Sequence, residues 1–262
     1  MDALRSVARS GIQFDNMIVS FNSSTGEDYR VFKNACDIGD LTYKYTVFKT
    51  EKEMNGIDHG KFIVNKLKEM SSHESLIFFL AHDDRIIYQP NCEKIKNFYT
   101  CLDPSSVYFP SYSCCKVEDY SKLTEVNENE ESMTPEVFFW RTQKENVPTS
   151  MSGMIVPLAA WEESLEVMTM SGSGARFEHL VAISRKVKQI HFHKCVKTLI
   201  ASRSESDAAY LTLLQHRWAS IYYLFTFARN GRIDGVLSCM AFIKEFFKKT
   251  IGLIFAYLNV KF

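Results

Sequence analysis

The stretch ESLIFFLAHDDRIIYQP, Glu74 to Pro90, decides how the chain is read. Five consecutive apolar residues, Leu76 to Leu80, run into Ala81 and His82, and two aspartates, Asp83 and Asp84, stand side by side where the run stops. A continuous apolar run closed by polar residues reads as a strand covered on both faces, as in the middle of a parallel sheet. Burying an unpaired carboxylate is costly and adjacent carboxylates repel, so a positive partner is expected near them, an arginine or a metal ion. A plainer reading is that the pair caps a helix entered near Pro90.

The neighbouring segments give that strand its context. Upstream, NMIVSFN (16–22) reads as a buried strand running into a loop. EDYRVFKNACDIG (27–39) reads as a helix with Tyr29, Phe32, Ala35 and Cys36 on one face and Gly39 as its cap. YKYTVFKT (43–50) alternates like a second strand, and NGIDHGKFIVNKLKEMSS (55–72) reads as a helix capped by Asp58, with Phe62, Leu67 and Met70 facing inward. Strands alternating with helices in this order imply βαβ units. The expected class is therefore α/β, a mainly parallel central sheet flanked by helices. In such open sheets ligands collect beyond the carboxyl ends of the strands, where Asp83 and Asp84 stand.

Downstream, SVYFP (106–110) reads as a strand, and the acidic, aperiodic segment 116–136 as a mobile surface loop or insertion. SGMIVP (152–157) is a buried strand and LAAWEESLEVM (158–168) an amphipathic helix. GARFEHLVAISRKV (174–187) is a second helix entered from the turn SGSG, and KQIHFHKCVKTLIAS (188–202) alternates like a strand. Residues 204–231 open on the capping-box pattern Ser204-x-x-Asp207 and read as one long helix ending at Gly231.

The totals bound the function. With 262 residues, 46% hydrophobic and 24% charged, the chain can bury one large core or two modest ones. A formal net charge of zero offers no global field for nucleic acid. Seven cysteines without a CxxC pair, and no signal-peptide pattern at the N-terminus, suggest a reducing, cytoplasmic setting. The longest apolar run, IGLIFAYLNV (251–260), is about half of what a membrane span needs.

MIVSFN, a helix, a strand, and then HGKFIVNKLKEMSSHESLIFFLAHDD resemble the nucleotide-sugar-binding half of family-2 glycosyltransferases, which have the GT-A fold. In that family a Gly and then an Asn precede a strand that delivers a short acidic motif. Gly60, Asn65, the strand Leu76 to Leu80 and His82-Asp83-Asp84 follow that order, with His82 in place of the usual leading Asp. SGMIVP, a helix containing Trp161, and SGSGARFEHL resemble the acceptor half.

The resemblance covers roughly residues 14 to 200 and implies a metal-dependent, inverting hexosyltransferase. Residues 1–203 would form one transferase domain, with a donor half at about 14–115 and an acceptor half at about 135–203. Residues 204–262 would be a helical C-terminal extension. Asp84 takes the role of direct metal ligand, with Asp83 supporting it and His193 or His191 assisting the metal or diphosphate. Glu178 is the implied base, with Glu162 and Glu163 as second choices, and Arg176 and His179 flank it. Phe21, Asn22, Glu51, Asn65, His82 and Asp83 are the nucleotide-side candidates. The implied cofactor is Mn2+ or Mg2+, the donor a nucleoside-diphosphate sugar, and the acceptor a glycan or lipid-linked saccharide, as in O-antigen or capsule polysaccharide (lipopolysaccharide) assembly.

Other readings of the same residues stay open. His191, His193 and Cys195 alternate, so on a regular strand they would face one way as a partial zinc site. The tail VLSCMAFIKEFFKKTIGLIFAYLNVKF (236–262) places lysines beside apolar residues, suiting either a peripheral site on the inner face of the cytoplasmic membrane or a helix packed on the body. A nucleotidyltransferase would also use paired aspartates, but SFNSSTGEDYR (20–30) has one Gly and no Lys to cradle a triphosphate. A noncatalytic carbohydrate-binding protein on a degenerate transferase fold is the third reading.

Overall fold

The computed structural model describes residues 2–10, 12, 14–22, 27–37, 45–72, 74–81, 84–87, 97–116, 119–126, 130–144, 149, 151–167, 183, 186–202, 243–244, 247–248, 250–252 and 254–255. Its strands are β1 (Ile18–Phe21), β2 (Thr46–Lys49), β3 (Leu76–Phe78), β4 (Arg85–Ile87), β5 (Ser106–Lys116), β6 (Asp119–Val126), β7 (Glu131–Met133), β8 (Ile155–Pro157) and β9 (Gln189–Ser202). The helices are α1 (Asp2–Arg9), α2 (Glu27–Asp37), α3 (Gly56–Met70), α4 (Pro135–Lys144) and α5 (Leu158–Val167). The expected mixed α/β architecture, a central sheet flanked by helices, is present.

Strand direction differs from the mainly parallel expectation. β1 and β2 pair in parallel as a separate two-stranded sheet, and a seven-stranded sheet runs β3-β8-β5-β9-β4, with β6 on β5 and β7 on β9. Within it β5–β9 is parallel and the other pairings are antiparallel. β3 therefore ends the described strand order rather than occupying its middle.

The apolar run is nevertheless explained by two-sided burial. Ile77 and Phe79 pack against a large core built on Val107, Phe109, Val156, Ile190 and Phe192, with Val64 of α3, Phe138 of α4 and Leu165 of α5. Phe78 and Leu80 pack against a smaller cluster of Val7 of α1, Ile12, Ile86 and Val196, joined by Tyr99. Because alternate side chains leave a strand on opposite faces, the two cores lie on the two sides of the sheet.

Three local expectations are corrected. Asn55, not Asp58, caps α3, its Oδ1 accepting the amides of Ile57 at 3.0 Å and Asp58 at 2.9 Å. Asp58 lies in the first turn, where a negative charge complements the helix dipole. The segment read as a loop contains β6, paired with β5 from Tyr112↔Val126 to Lys116↔Asp119. A hairpin arm with a single neighbour needs little apolar content, and Tyr120, Thr124 and Val126 supply strand propensity. The chain after Asp84 forms β4 against β9 rather than entering a helix directly. The helices expected over 174–187 and 204–231 fall outside the described residues, apart from Ile183 and 186–187.

Two glycines fix close approaches. At Gly60, where α3 crosses α5, a Cβ would meet Leu165 Cδ2 at 2.8 Å. Lys61–Glu166 at 3.4 Å and Lys68–Glu162 at 2.7 Å flank that crossing on the surface. Gly153 has φ +84° and no room for a side chain, a Cβ meeting Thr198 Cγ2 at 2.6 Å and Pro110 Cγ at 2.7 Å. Gly153→Ala combines left-handed strain with overpacking and should cost roughly 2–4 kcal/mol, read as a shifted urea midpoint at unchanged slope.

Candidate functional site

The site is assembled where β3 ends and β8 begins. Phe79 N donates to Met154 O at 3.1 Å and Gly153 N donates to Phe79 O at 2.6 Å, so the turn before β8 is laced to the exit of β3. Ser152, buried in that turn, accepts the Ala81 amide at 3.0 Å and donates its hydroxyl to Asp84 Oδ2. The Asp84 amide donates back to Ala81 O at 3.2 Å, joining the two residues directly. Asp84 is 6% exposed and is the one carboxylate among the buried described residues. A buried hydrogen bond of this kind favours one orientation of the aspartate.

Ser152 precedes Gly153, which abuts Pro110, and Pro110 is the register partner of His193 on β9. Asp84 and His193 are thereby brought to neighbouring parts of the sheet. His193 is 6% exposed, stacks on Phe98 at a centroid distance of 4.4 Å, and has no hydrogen-bond partner on either ring nitrogen. Burial, with the neighbouring His191 adding to it, pushes its pKa down to about 3. The imidazole is therefore neutral at physiological pH. His191, two residues earlier, stacks on Tyr108 at 4.7 Å and pairs its Nδ1 with Ser132 Oγ at 2.6 Å.

The expected common face of His191, His193 and Cys195 does not survive. The β5–β9 register jumps from Pro110↔His193 to Ser111↔Lys197, so Cys195 falls in a bulge. Ser111 Oγ reaches back to His193 O at 3.3 Å across it. Among the described residues no group of three or more His, Cys, Asp or Glu side chains could hold a metal ion. Of Asp84, His191, His193 and Cys195, Asp84 is the one with the hard oxygen chemistry that Mg2+ or Mn2+ prefers.

The nucleotide-side candidates divide. Asn22 clamps the chain leaving β2, its Nδ2 donating to Met54 O at 2.7 Å and its Oδ1 accepting Met54 N at 2.9 Å. Phe21 is half-buried, its ring against Tyr29 at 5.4 Å and Phe32 at 5.3 Å. Lys49 lies 4.6 Å over the Tyr29 ring, and Glu51 is exposed in the loop that Asn22 closes. Asn65 sits on the exposed side of α3, ten residues and so about 15 Å along the axis from the Asn55 cap. Phe21, Asn22 and Glu51 are together, and Asn65 stands apart.

His82, Asp83, Arg176, Glu178 and His179 lie outside the described residues. The second-choice acids are both in surface ion pairs, Glu162 with Lys68 at 2.7 Å and Glu163 with Lys186 at 2.6 Å. Sequence reasoning missed Ser152 and His59. His59 Nε2 pairs with Ser20 Oγ at 2.9 Å and its ring stacks over Phe62, and burial lowers its pKa. A serine three residues before an apolar strand carries no signal of its own; the buried aspartate it serves is what marks it.

No family model and no curated protein matches the chain. Among solved structures, a crystal structure of GalNAc-T7 with UDP, GalNAc and Mn2+ is similar at a TM-score of 0.48 and 9% identity. The likeness covers 72% of this chain and 38% of that one, so the chain spans well under half of its length.

The histidine geometry sets a pH dependence. The unfolded chain protonates His193 as pH falls through the ordinary value of 6.5, whereas the folded chain resists until about 3. Stability is therefore lost as pH falls through that window, by up to about 1.4 kcal/mol per pH unit from this group. His193→Phe, which keeps a ring on Phe98, should flatten urea-measured stability between pH 6 and 4 by close to that slope.

Proposed function

We propose that the protein is a glycosyltransferase that moves a sugar from a nucleoside-diphosphate donor to a hydroxyl of a glycan or lipid-linked saccharide, with inversion. The observation that carries the reading is Asp84, a buried carboxylate fixed by Ser152 at the exit of β3, where the resembled family delivers its acidic motif. A solvated capping aspartate would need no buried hydroxyl. The donor half is assigned to about 14–115, with Phe21, Asn22 and Glu51 forming the nucleotide side, and the acceptor half to about 135–203. Residues 204–262 are assigned to a C-terminal extension, and the pathway to cytoplasmic assembly of surface polysaccharide such as O-antigen or capsule.

The chemistry asks three things of the chain. Asp84, with Asp83, would hold a divalent cation at the donor's diphosphate end. Glu178 accepts the proton of the acceptor hydroxyl as that oxygen attacks the anomeric carbon opposite the diphosphate, a contribution of about 10² to 10⁴ in rate. The bonds from Ala81 and Asp84 to Ser152 keep the Asp84 carboxylate from reorienting between turnovers. A Mg2+ or Mn2+ ion, when bound, supplies positive charge to the departing diphosphate.

Asp84→Asn keeps the shape and one acceptor for Ser152 while removing the charge. Thermal-shift titration with a panel of nucleotide sugars and Mn2+ should raise the melting temperature of the wild type and leave the variant unmoved. Equal shifts for both proteins would remove the donor role of Asp84. Glu178→Gln should bind donor normally and turn over about 10² to 10⁴ times more slowly, followed as nucleoside diphosphate released in the presence of acceptor.

A further inference from the structure

The helical residues between 243 and 255 leave Ile243, Phe247, Ile251, Ile254 and Phe255 exposed by 38%, 48%, 50%, 42% and 61%. Among the described residues only Val31, Met54 and Val137 join them as large apolar side chains exposed to this degree, and those three are scattered. At about 100° per residue the five side chains fall within one arc of about 120°. Thr250, just beyond one edge of the arc, is buried, so the helix is seated by that side and turns the arc outward. Lys244 and Lys248, both exposed, fall at the opposite edge. A Cβ built on Gly252 would meet nothing within 4 Å.

A stretch of this length is about 20 Å long, short of the roughly 30 Å hydrocarbon core. No helix among the described residues is long and apolar enough to cross a membrane. We propose that this face lies along a membrane surface bearing anionic headgroups. The phenylalanine and isoleucine side chains enter the boundary between headgroups and acyl chains, and the two lysines at the arc's edge meet lipid phosphates. Charge selects this occupant over a second copy of the chain. Residues 243–255 contain three lysines against one glutamate, and an antiparallel two-fold contact through the same arc would bring both copies' Lys244 and Lys248 to one border. The inference rests on the helix face alone and stands apart from the transferase reading.

Co-sedimentation of the full chain with vesicles tests it. The protein should pellet with phosphatidylcholine vesicles containing about a third phosphatidylglycerol, and weakly with pure phosphatidylcholine, because the attraction is electrostatic. Phe247→Ser with Phe255→Ser, both at exposed positions, should lower partitioning about tenfold or more with an unchanged melting curve. Lys244→Glu with Lys248→Glu should abolish the preference for anionic vesicles. Wild type left in the supernatant, or equal pelleting of wild type and the phenylalanine variant, overturns the proposal. So does a dimer in light scattering that the phenylalanine variant breaks while vesicles bind neither protein.

Discussion

The hydroxyl of Ser152 makes two bonds at once, and the arrangement of the site depends on them. It accepts the Ala81 amide and donates to the Asp84 carboxylate, tying the exit of β3, the loop 81–84 and the turn before β8 at one atom. A buried carboxylate would be costly to leave unmet, and a single small side chain answers it while also taking up the amide of Ala81. Gly153 follows immediately because the turn that presents Ser152 runs against Pro110 and Thr198, where no Cβ fits. Thr198 in turn donates to Ser152 O at 3.3 Å, so β9 braces the same turn. Asp84 is therefore held through Ser152 by a turn that β9 braces, as well as by its place beyond β3.

The same segment shows why the fold class was legible in the sequence and strand direction was not. Five apolar residues in a row mean that both faces of a strand are covered, and the alternation of Ile77 and Phe79 with Phe78 and Leu80 between two cores bears that out. Two-sided burial comes equally from a parallel sheet wrapped by crossover helices or from antiparallel strands with helices on each side. The strands sit next to partners distant in sequence, β3 on β8 and β4 on β9, and no local pattern encodes those pairings. Only β1 and β2, joined through α2, pair as neighbours in chain order and run parallel as the βαβ pattern implies.

Of the site, the residue types that physics forbids to stand alone were the readable ones. Asp84 at the close of an apolar run had to be buried with partners, and one of them, a serine 68 positions later, carries no signal in the sequence. Asn22 was visible as a polar stop after a strand, and its amide satisfies both backbone groups of Met54, which no spacing foretells. Asp58 was chosen as a cap on residue type, while Asn55 won on geometry because its carbonyl oxygen reaches two amides at once. Glutamates 162 and 163 looked available for chemistry and are engaged by lysines from elsewhere on the surface.

His191 and His193 carry this contrast furthest, since sequence alone treats them as equivalent. Both leave β9 on the face that bears Tyr108, and both rings stack on an aromatic neighbour. His191 reaches Ser132 on the adjacent strand β7 and keeps some exposure, whereas His193 meets the step in register and is sealed beneath Phe98. The bulge between His193 and Lys197 begins just beyond both histidines, so their different surroundings come from the neighbours each meets, Ser132 and Tyr108 for one and Phe98 for the other. An imidazole buried without a partner on either nitrogen is destabilising relative to an apolar ring of the same shape.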